Sequence, residues 1–136
     1  MNIEKVFDFI KEKRGYDYPF IYKLVKGLPV SEDELNIEGH LRLGDTGVSF
    51  LPDNLNVHGF LSLTRLSKIT HLPNNLTVHD DLYMNHTNIE TIPNNLKVSG
   101  DLHLLYTPLS KKFGREAIRK IIEDKGGSIR GMIYTN

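Results

Sequence analysis

His58 and His79 occupy one position of a recurring pattern, and Asp80 and Asp81 follow directly. Imidazole nitrogens and carboxylate oxygens are ligands for zinc and related divalent ions. Two stacked histidines with an acidic pair beside them could therefore hold a metal. Solvated outward strand positions accept histidine equally well, and duplication alone stacks the copies, so no metal and no cofactor are expected. Cysteine is absent, which removes disulfides, thiolate zinc sites and cysteine nucleophiles. The chain has neither G-x-G-x-x-G nor G-x-x-x-x-G-K-[ST], and neither H-E-x-x-H nor an EF-hand loop. A Ser-His-Asp triad could be assembled only from unrelated loop positions. The expectation is a protein without catalytic residues.

The residues between the apolar positions are more informative. They include His40, Arg42, His58, Phe60, Ser62, His79, Asp81, Tyr83, Ser99, Asp101, His103, Met132 and Tyr134. Strand alternation points them outward, on one face, or on two if the alternation breaks at a glycine. Arg42, Phe60, Tyr83, His103 and Tyr134 are residue types enriched in interface cores, so they form the candidate protein-binding row. The alternative protein-binding site is the aromatic cluster Tyr16, Tyr18, Phe20 and Tyr22, dense for a chain with 6 Tyr and 6 Phe. A third, basic surface comprises Arg115, Arg119, Lys120 and Lys125. No aromatics interleave with these cations, which argues against single-strand nucleic-acid binding.

These positions are set by a repeat. Leu51-Pro52-Asp53-Asn54-Leu55-Asn56-Val57-His58-Gly59-Phe60-Leu61-Ser62-Leu63 recurs from Leu72 and again from Ile92, at spacings of 21 and 20. Residues 35–43 and 129–133 are weaker copies. Period-two patterning predicts strands. One copy cannot bury its apolar face, so copies must stack at ~4.8 Å. Leu41, Leu61, Leu82 and Leu102 should then form one ladder, and Ile37, Val57, Val78, Val98 and Ile129 another. Pro-x-Asn is a turn with left-handed geometry available at Asn. Gly39, Gly59, Gly100 and Gly131 share a position read as a bend or a positive φ, which Asp80 replaces in one copy. Thr46, Thr87 and Thr107 should bond backbone inside the turn, a ladder that Leu66 interrupts.

This Leu-Pro-punctuated period with L-x-L strands resembles the leucine-rich repeats. More closely it resembles the short LPxNLxVxGxLxL repeat proteins of bacteriophage and bacteria, over roughly residues 28–134. Thr stands at the turn where typical leucine-rich repeats carry Asn. The resemblance implies a binding scaffold with no catalytic residues. It also implies a phage-borne binder or inhibitor of a host or defence protein.

The expected fold is an α+β repeat: a short solenoid of about five parallel rungs, one compact domain in three parts. Residues 1–27 form a helical cap, with an amphipathic helix over 2–13 and a second helix opening at Pro19. Residues 28–109 form the repeat. Residues 110–136 carry a helix over 112–124, stopped by Gly126-Gly127, and then the closing strand. Net charge is zero, yet residues 27–109 hold four basic and ten acidic residues, and residues 110–136 hold seven and three. The acidic middle argues against a phosphate-tracking groove. No signal peptide or membrane span is read, and a cytoplasmic location is expected. The expected role is non-catalytic recognition of a protein by a monomer or small homo-oligomer. The alternative is a small-ligand or nucleotide-sequestering protein.

Overall fold

The computed structural model describes residues 19–136. The expected helix over 2–13, together with Tyr16 and Tyr18, lies outside the described residues. Helix α1 (Phe20–Lys26) opens after Pro19 and ends at Gly27 with φ 70°. Leu24 is buried, and Phe20 packs half-buried against the core. A single 3₁₀ turn, Asp33–Leu35, follows. Lys23 is buried and reaches Glu34 at 2.8 Å. Donation from Lys23 holds the Glu34 carboxyl below its ordinary range.

Ten two-residue strands come next. They are β1 (Asn36–Ile37), β2 (Leu41–Arg42), β3 (Asn56–Val57), β4 (Leu61–Ser62), β5 (Thr77–Val78), β6 (Leu82–Tyr83), β7 (Lys97–Val98), β8 (Leu102–His103), β9 (Ser128–Ile129) and β10 (Ile133–Tyr134). All pair in parallel. The odd strands make one five-stranded sheet and the even strands a second. The chain is a parallel-strand β-solenoid with a few helices. Ile37, Val57, Val78, Val98 and Ile129 stack in register in the first sheet. Leu41, Leu61, Leu82, Leu102 and Ile133 do so in the second. Leu55, Leu63, Leu76, Met84, Leu96 and Leu104, which flank the strands, are fully buried in the same core. Each such side chain contributes about 1.5–3 kcal/mol by leaving water.

The corners are held by polar ladders. Asn54, Asn75 and Asn95 adopt φ of 67°, 59° and 57°. Asn75 Nδ2 donates to Asn54 Oδ1 at 2.9 Å, and Asn95 Nδ2 to Asn75 Oδ1 at 2.8 Å. Thr46, Thr87 and Thr107 donate to the carbonyls of Leu43, Met84 and Leu104. Leu66 breaks that ladder and is buried instead. A second left-handed ladder is marked by no turn residue type common to its positions. It consists of Asp45, Arg65, His86 and Tyr106, at φ of 61°, 66°, 58° and 59°. Such geometry costs roughly 1 kcal/mol or more per residue, and stacking hydrogen bonds offset it. Arg65 N–H donates to Asn85 O, and His86 N–H to Leu105 O.

Of the two readings of the shared glycine position, the bend holds at Gly39, Gly59, Gly100 and Gly131, and the positive φ does not hold generally. Only Gly39 among those four glycines has one, at 134°. At Gly59 and Gly100 a Cβ would lie 2.8 Å from backbone of the preceding turn, and at Gly131 2.6 Å from Gly100 O. Close approach excludes side chains there.

The expected helix over 112–124 is α3 (Arg115–Asp124), and a short helix that was not expected, α2 (Pro108–Lys112), precedes it across Phe113-Gly114. Thr107 caps α2, its Oγ1 accepting the Ser110 N–H at 3.0 Å. Ile118 and Ile122 of α3 are buried. Among the described residues, no helix is long and apolar enough to cross a membrane.

Candidate functional site

The alternation does break at the glycine, so the outward residues divide between two faces. On the first sheet's side, the rings of His58 and His79 stack at 4.8 Å, 3° from parallel. Their partners are amides: His79 Nε2 lies 2.9 Å from Asn56 Oδ1, and His58 Nε2 lies 3.4 Å from Asn56 Nδ2. Asp81 belongs to the other face, where it meets Tyr83 and His103. The ligand set of two histidines with Asp81 is therefore not assembled.

The second sheet carries the candidate row. Arg42 Cζ lies 4.6 Å from the centre of the Phe60 ring. Phe60 also stacks on His40 at 4.0 Å and meets the Tyr83 edge at 5.8 Å. Tyr83 stacks on His103 at 4.5 Å, and His103 on Tyr134 at 4.9 Å. Arg42, Phe60, Tyr83, His103 and Tyr134 thus form one continuous column along the solenoid. Parallel register produces it, since Tyr83 pairs with His103 and His103 with Tyr134. Phe60, expected to be exposed, is half-buried by its neighbours. Both faces of His103 are covered by tyrosine rings. The column therefore presents ring edges, with their hydroxyls and nitrogens, rather than open aromatic faces.

Asp81 sits at the centre of this surface. Its Oδ2 accepts from Tyr83 Oη at 3.2 Å and lies 3.3 Å from His103 Nε2. Its Oδ1 accepts the Asp101 N–H at 2.8 Å. Burial raises the Asp81 pKa, but donation from Asp101 N–H, His103 and Tyr83 outweighs it, and the carboxyl is held below its ordinary range. Burial and then the Asp81 charge push the Tyr83 hydroxyl up. Asp81, Asp101 and His103 also have ligand atoms within 4.8 Å of one another, a geometry a divalent ion could share. Asp101 Oδ1, however, accepts the Met132 N–H at 2.8 Å, so both carboxylates already serve the backbone. The pairing of Asp81 with His103 is not legible in the repeat, because it joins two successive turns, where Tyr83 stands in register with His103.

The alternative aromatic cluster is not a free surface as far as it is described. Phe20 packs on the core, and Tyr22 is half-buried. Arg119 is likewise not part of a basic outer face. Its Nη1 donates to Ile129 O and its Nη2 to Gly131 O, each at 2.7 Å. Arg115, Lys120 and Lys125 are exposed as expected, and Lys120 pairs with Asp124 at 3.4 Å.

A groove of about 600 Å³ follows the Leu-Pro corners, between Phe50, His71, Pro73, Asn74, Pro93 and Asn94. By pattern Pro73, Asn74, Pro93 and Asn94 are turn residues, and nothing in the repeat marks Phe50 or His71. In comparisons with protein-family models, curated proteins and solved structures, nothing matches this chain.

Proposed function

We propose that the chain is a non-catalytic protein-recognition module that binds its partner through the second sheet's outward column. The supporting observation is the unbroken run from Arg42 through Phe60, Tyr83 and His103 to Tyr134. Its side chains are preset by stacking, so little rotamer entropy is lost when they are covered. The residue types match those that dominate interface energetics. Five rungs, one per strand of each sheet, with helices capping the ends, would be the scaffold. The resemblance to short phage and bacterial leucine-rich-repeat-like proteins suggests a partner class, a bacterial host or defence protein bound in the cytoplasm, and inhibition as the role.

The test is affinity capture from bacterial lysate with mass spectrometry, followed by two alanine sets. Arg42/Phe60/Tyr83/His103 replaced together should lose the captured partner, with single losses of about 2 kcal/mol or more at the hot spots. Circular dichroism must show both sets folded. Retained binding in the column set, with loss in a Phe20/Tyr22 set, would move the interface to the N-terminal end.

A second reading, small-ligand binding, is favoured by the corner groove, whose volume suits a nucleotide-sized molecule. Phe50→Ala should abolish ligand binding under that reading and leave the captured partner in place under the first.

A further inference from the structure

The Leu-Pro corners bring one row of polar side chains to the side of the solenoid. Backbone bonds set its register: Asn54 N–H donates to Asn74 O, Asn75 N–H to Asn94 O, and Asn95 N–H to Lys125 O. Asp53, Asn74, Asn94 and Lys125 therefore stand in successive turns, and all four line the groove of about 600 Å³. At ~4.8 Å per turn, the row from Asp53 to Lys125 spans roughly 14 Å. The groove floor includes Pro73 and Pro93, both buried, which have no N–H to offer a ligand. Its donors are therefore side chains.

Part of this row serves the fold. Asp53 Oδ1 accepts the Asn74 N–H at 3.0 Å, and Asn74 Oδ1 accepts the Asn94 N–H at 3.1 Å. The second Asp53 oxygen, Asn74 Nδ2 and the whole Asn94 side-chain amide have no partner among the described residues. Lys125 makes no ion pair among them either. The groove thus carries a carboxylate at one end, an ammonium at the other and amides between. It adjoins a second, mostly apolar cavity of about 250 Å³, with which it shares Thr91, Ile92 and Lys125. Leu109, Phe113 and Ile121 complete the apolar wall of that cavity. Two cations, Lys112 and Lys125, border it against one carboxylate, Glu90.

We propose that the groove holds the extended carboxyl-terminal segment of a partner protein. The terminal carboxylate meets Lys125, the last side chain is aliphatic and enters the second cavity, and a lysine or arginine four residues upstream meets Asp53. Charge and length select this occupant. An extended chain advances ~3.3 Å per residue, so four residues cover about 13 Å, close to the distance between the two charged ends. A chain end carries its carboxylate and its last side chain on one carbon, which matches Lys125 standing beside an apolar cavity. The amides of Asn74 and Asn94 can each donate to or accept from the peptide groups between, as their free atoms allow. Opposite charges at the two ends suit a ligand of both signs better than an all-anionic nucleotide. The proposal rests on the groove of the second reading being a binding site and names its ligand class; it is independent of the ring column.

The test is an NMR titration of the ¹⁵N-labelled full chain with acetyl-Lys-Ser-Thr-Ser-Leu carrying a free carboxylate. Amide shifts should concentrate at His71, Asn74, Asn94 and Lys125. Amidating the peptide's carboxyl terminus should weaken binding about tenfold, and so should glutamate in place of its lysine. Lys125→Gln should bind the free and the amidated peptide alike, and Asp53→Asn should no longer distinguish lysine from glutamate. Asparagine at 53 keeps the oxygen that accepts the Asn74 N–H, so the fold is retained and only the charge is lost; an unchanged melting temperature checks this. No shift at about 2 mM peptide would overturn the proposal, as would equal binding of the amidated peptide by the unaltered chain. Shifts at these amides with adenosine monophosphate but not with peptide would overturn it while keeping the groove as a small-molecule site. Silence with both would remove the second reading as well. Shifts that grow with protein concentration and need no peptide would overturn it in favour of a second copy.

Discussion

Asp80 Oδ1 accepts the N–H of Asp81 at 2.9 Å, doing in place what Phe60, one turn below, cannot do. In three other turns that N–H is taken from below. Phe60 N–H goes to His40 Nδ1, Asp101 N–H to Asp81 Oδ1, and Met132 N–H to Asp101 Oδ1. The glycines follow from the same bonds, because a Cβ at Gly59, Gly100 or Gly131 would strike His40, Asp81 or Asp101 respectively. Phe60 places no acceptor there, so the next turn both tolerates a side chain and needs one.

A double-mutant cycle should reveal this coupling. Asp80→Gly alone should cost about 1 kcal/mol, the usual loss for one hydrogen bond. Together with Phe60→Asp the same change should be neutral or stabilising, because Asp at 60 supplies the acceptor. Urea denaturation of the four proteins should give an interaction term of about 1 kcal/mol or more; an additive result would refute the linkage.

Arg119 should behave as part of the fold. Arg119→Leu leaves the Ile129 and Gly131 carbonyls without their donors and should cost about 2–3 kcal/mol. Arg115→Leu, one turn away and exposed, should stay within about 0.5 kcal/mol. Chemical denaturation of both variants decides between the edge-capping role and an exposed cation.

The register can be checked in adjacent residues. Leu82 is fully buried, so Leu82→Asp should unfold the chain or cost about 4 kcal/mol or more. Tyr83→Ala, expected from alternation alone to cost little, should cost about 1–2 kcal/mol, because Tyr83 is half-buried between Phe60 and His103 and bonded to Asp81. Equal melting temperatures for the two variants would contradict the pairing.

Asp81 should govern part of the acid limb of stability. Its folded pKa lies below the ordinary 3.8. Its contribution is complete above that value and is lost as pH falls through the depressed one. Tyr83 acts at the other end: its pKa is raised above 10.0, so its contribution holds below that value and is lost as pH rises through the raised one. Asp81→Asn should flatten the acid limb and bring the Tyr83 titration, followed by ultraviolet absorbance, down toward its ordinary position.

Much of the fold is legible in the repeat itself. A period of 20 or 21 residues sets which residues stack, because like positions in identical turns must fall in register, from Ile37 to Val98 and from Leu41 to Leu102. Ile129 follows Val98 by 31 residues and is marked by its short Ile-x-Gly-x-Ile pattern instead. Pro-x-Asn marks its left-handed corner because Asn tolerates that geometry. The outward candidates Arg42, Phe60, Tyr83, His103 and Tyr134 are legible for the same reason. Only the tertiary structure decided that the alternation divides at the glycine into two sheets, which separates His79 from Asp81 and joins Asp81 to His103. Periodicity records distance along one strand and is silent about a corner. Only the structure showed that Arg65, His86 and Tyr106 turn left-handed, because stacked hydrogen bonds impose what their side chains disfavour. And only it turned Arg119 inward. By helical pattern Arg119 equals Arg115, but what it bonds is the edge of a strand ten residues later, a partner that exists once the chain has folded back on itself.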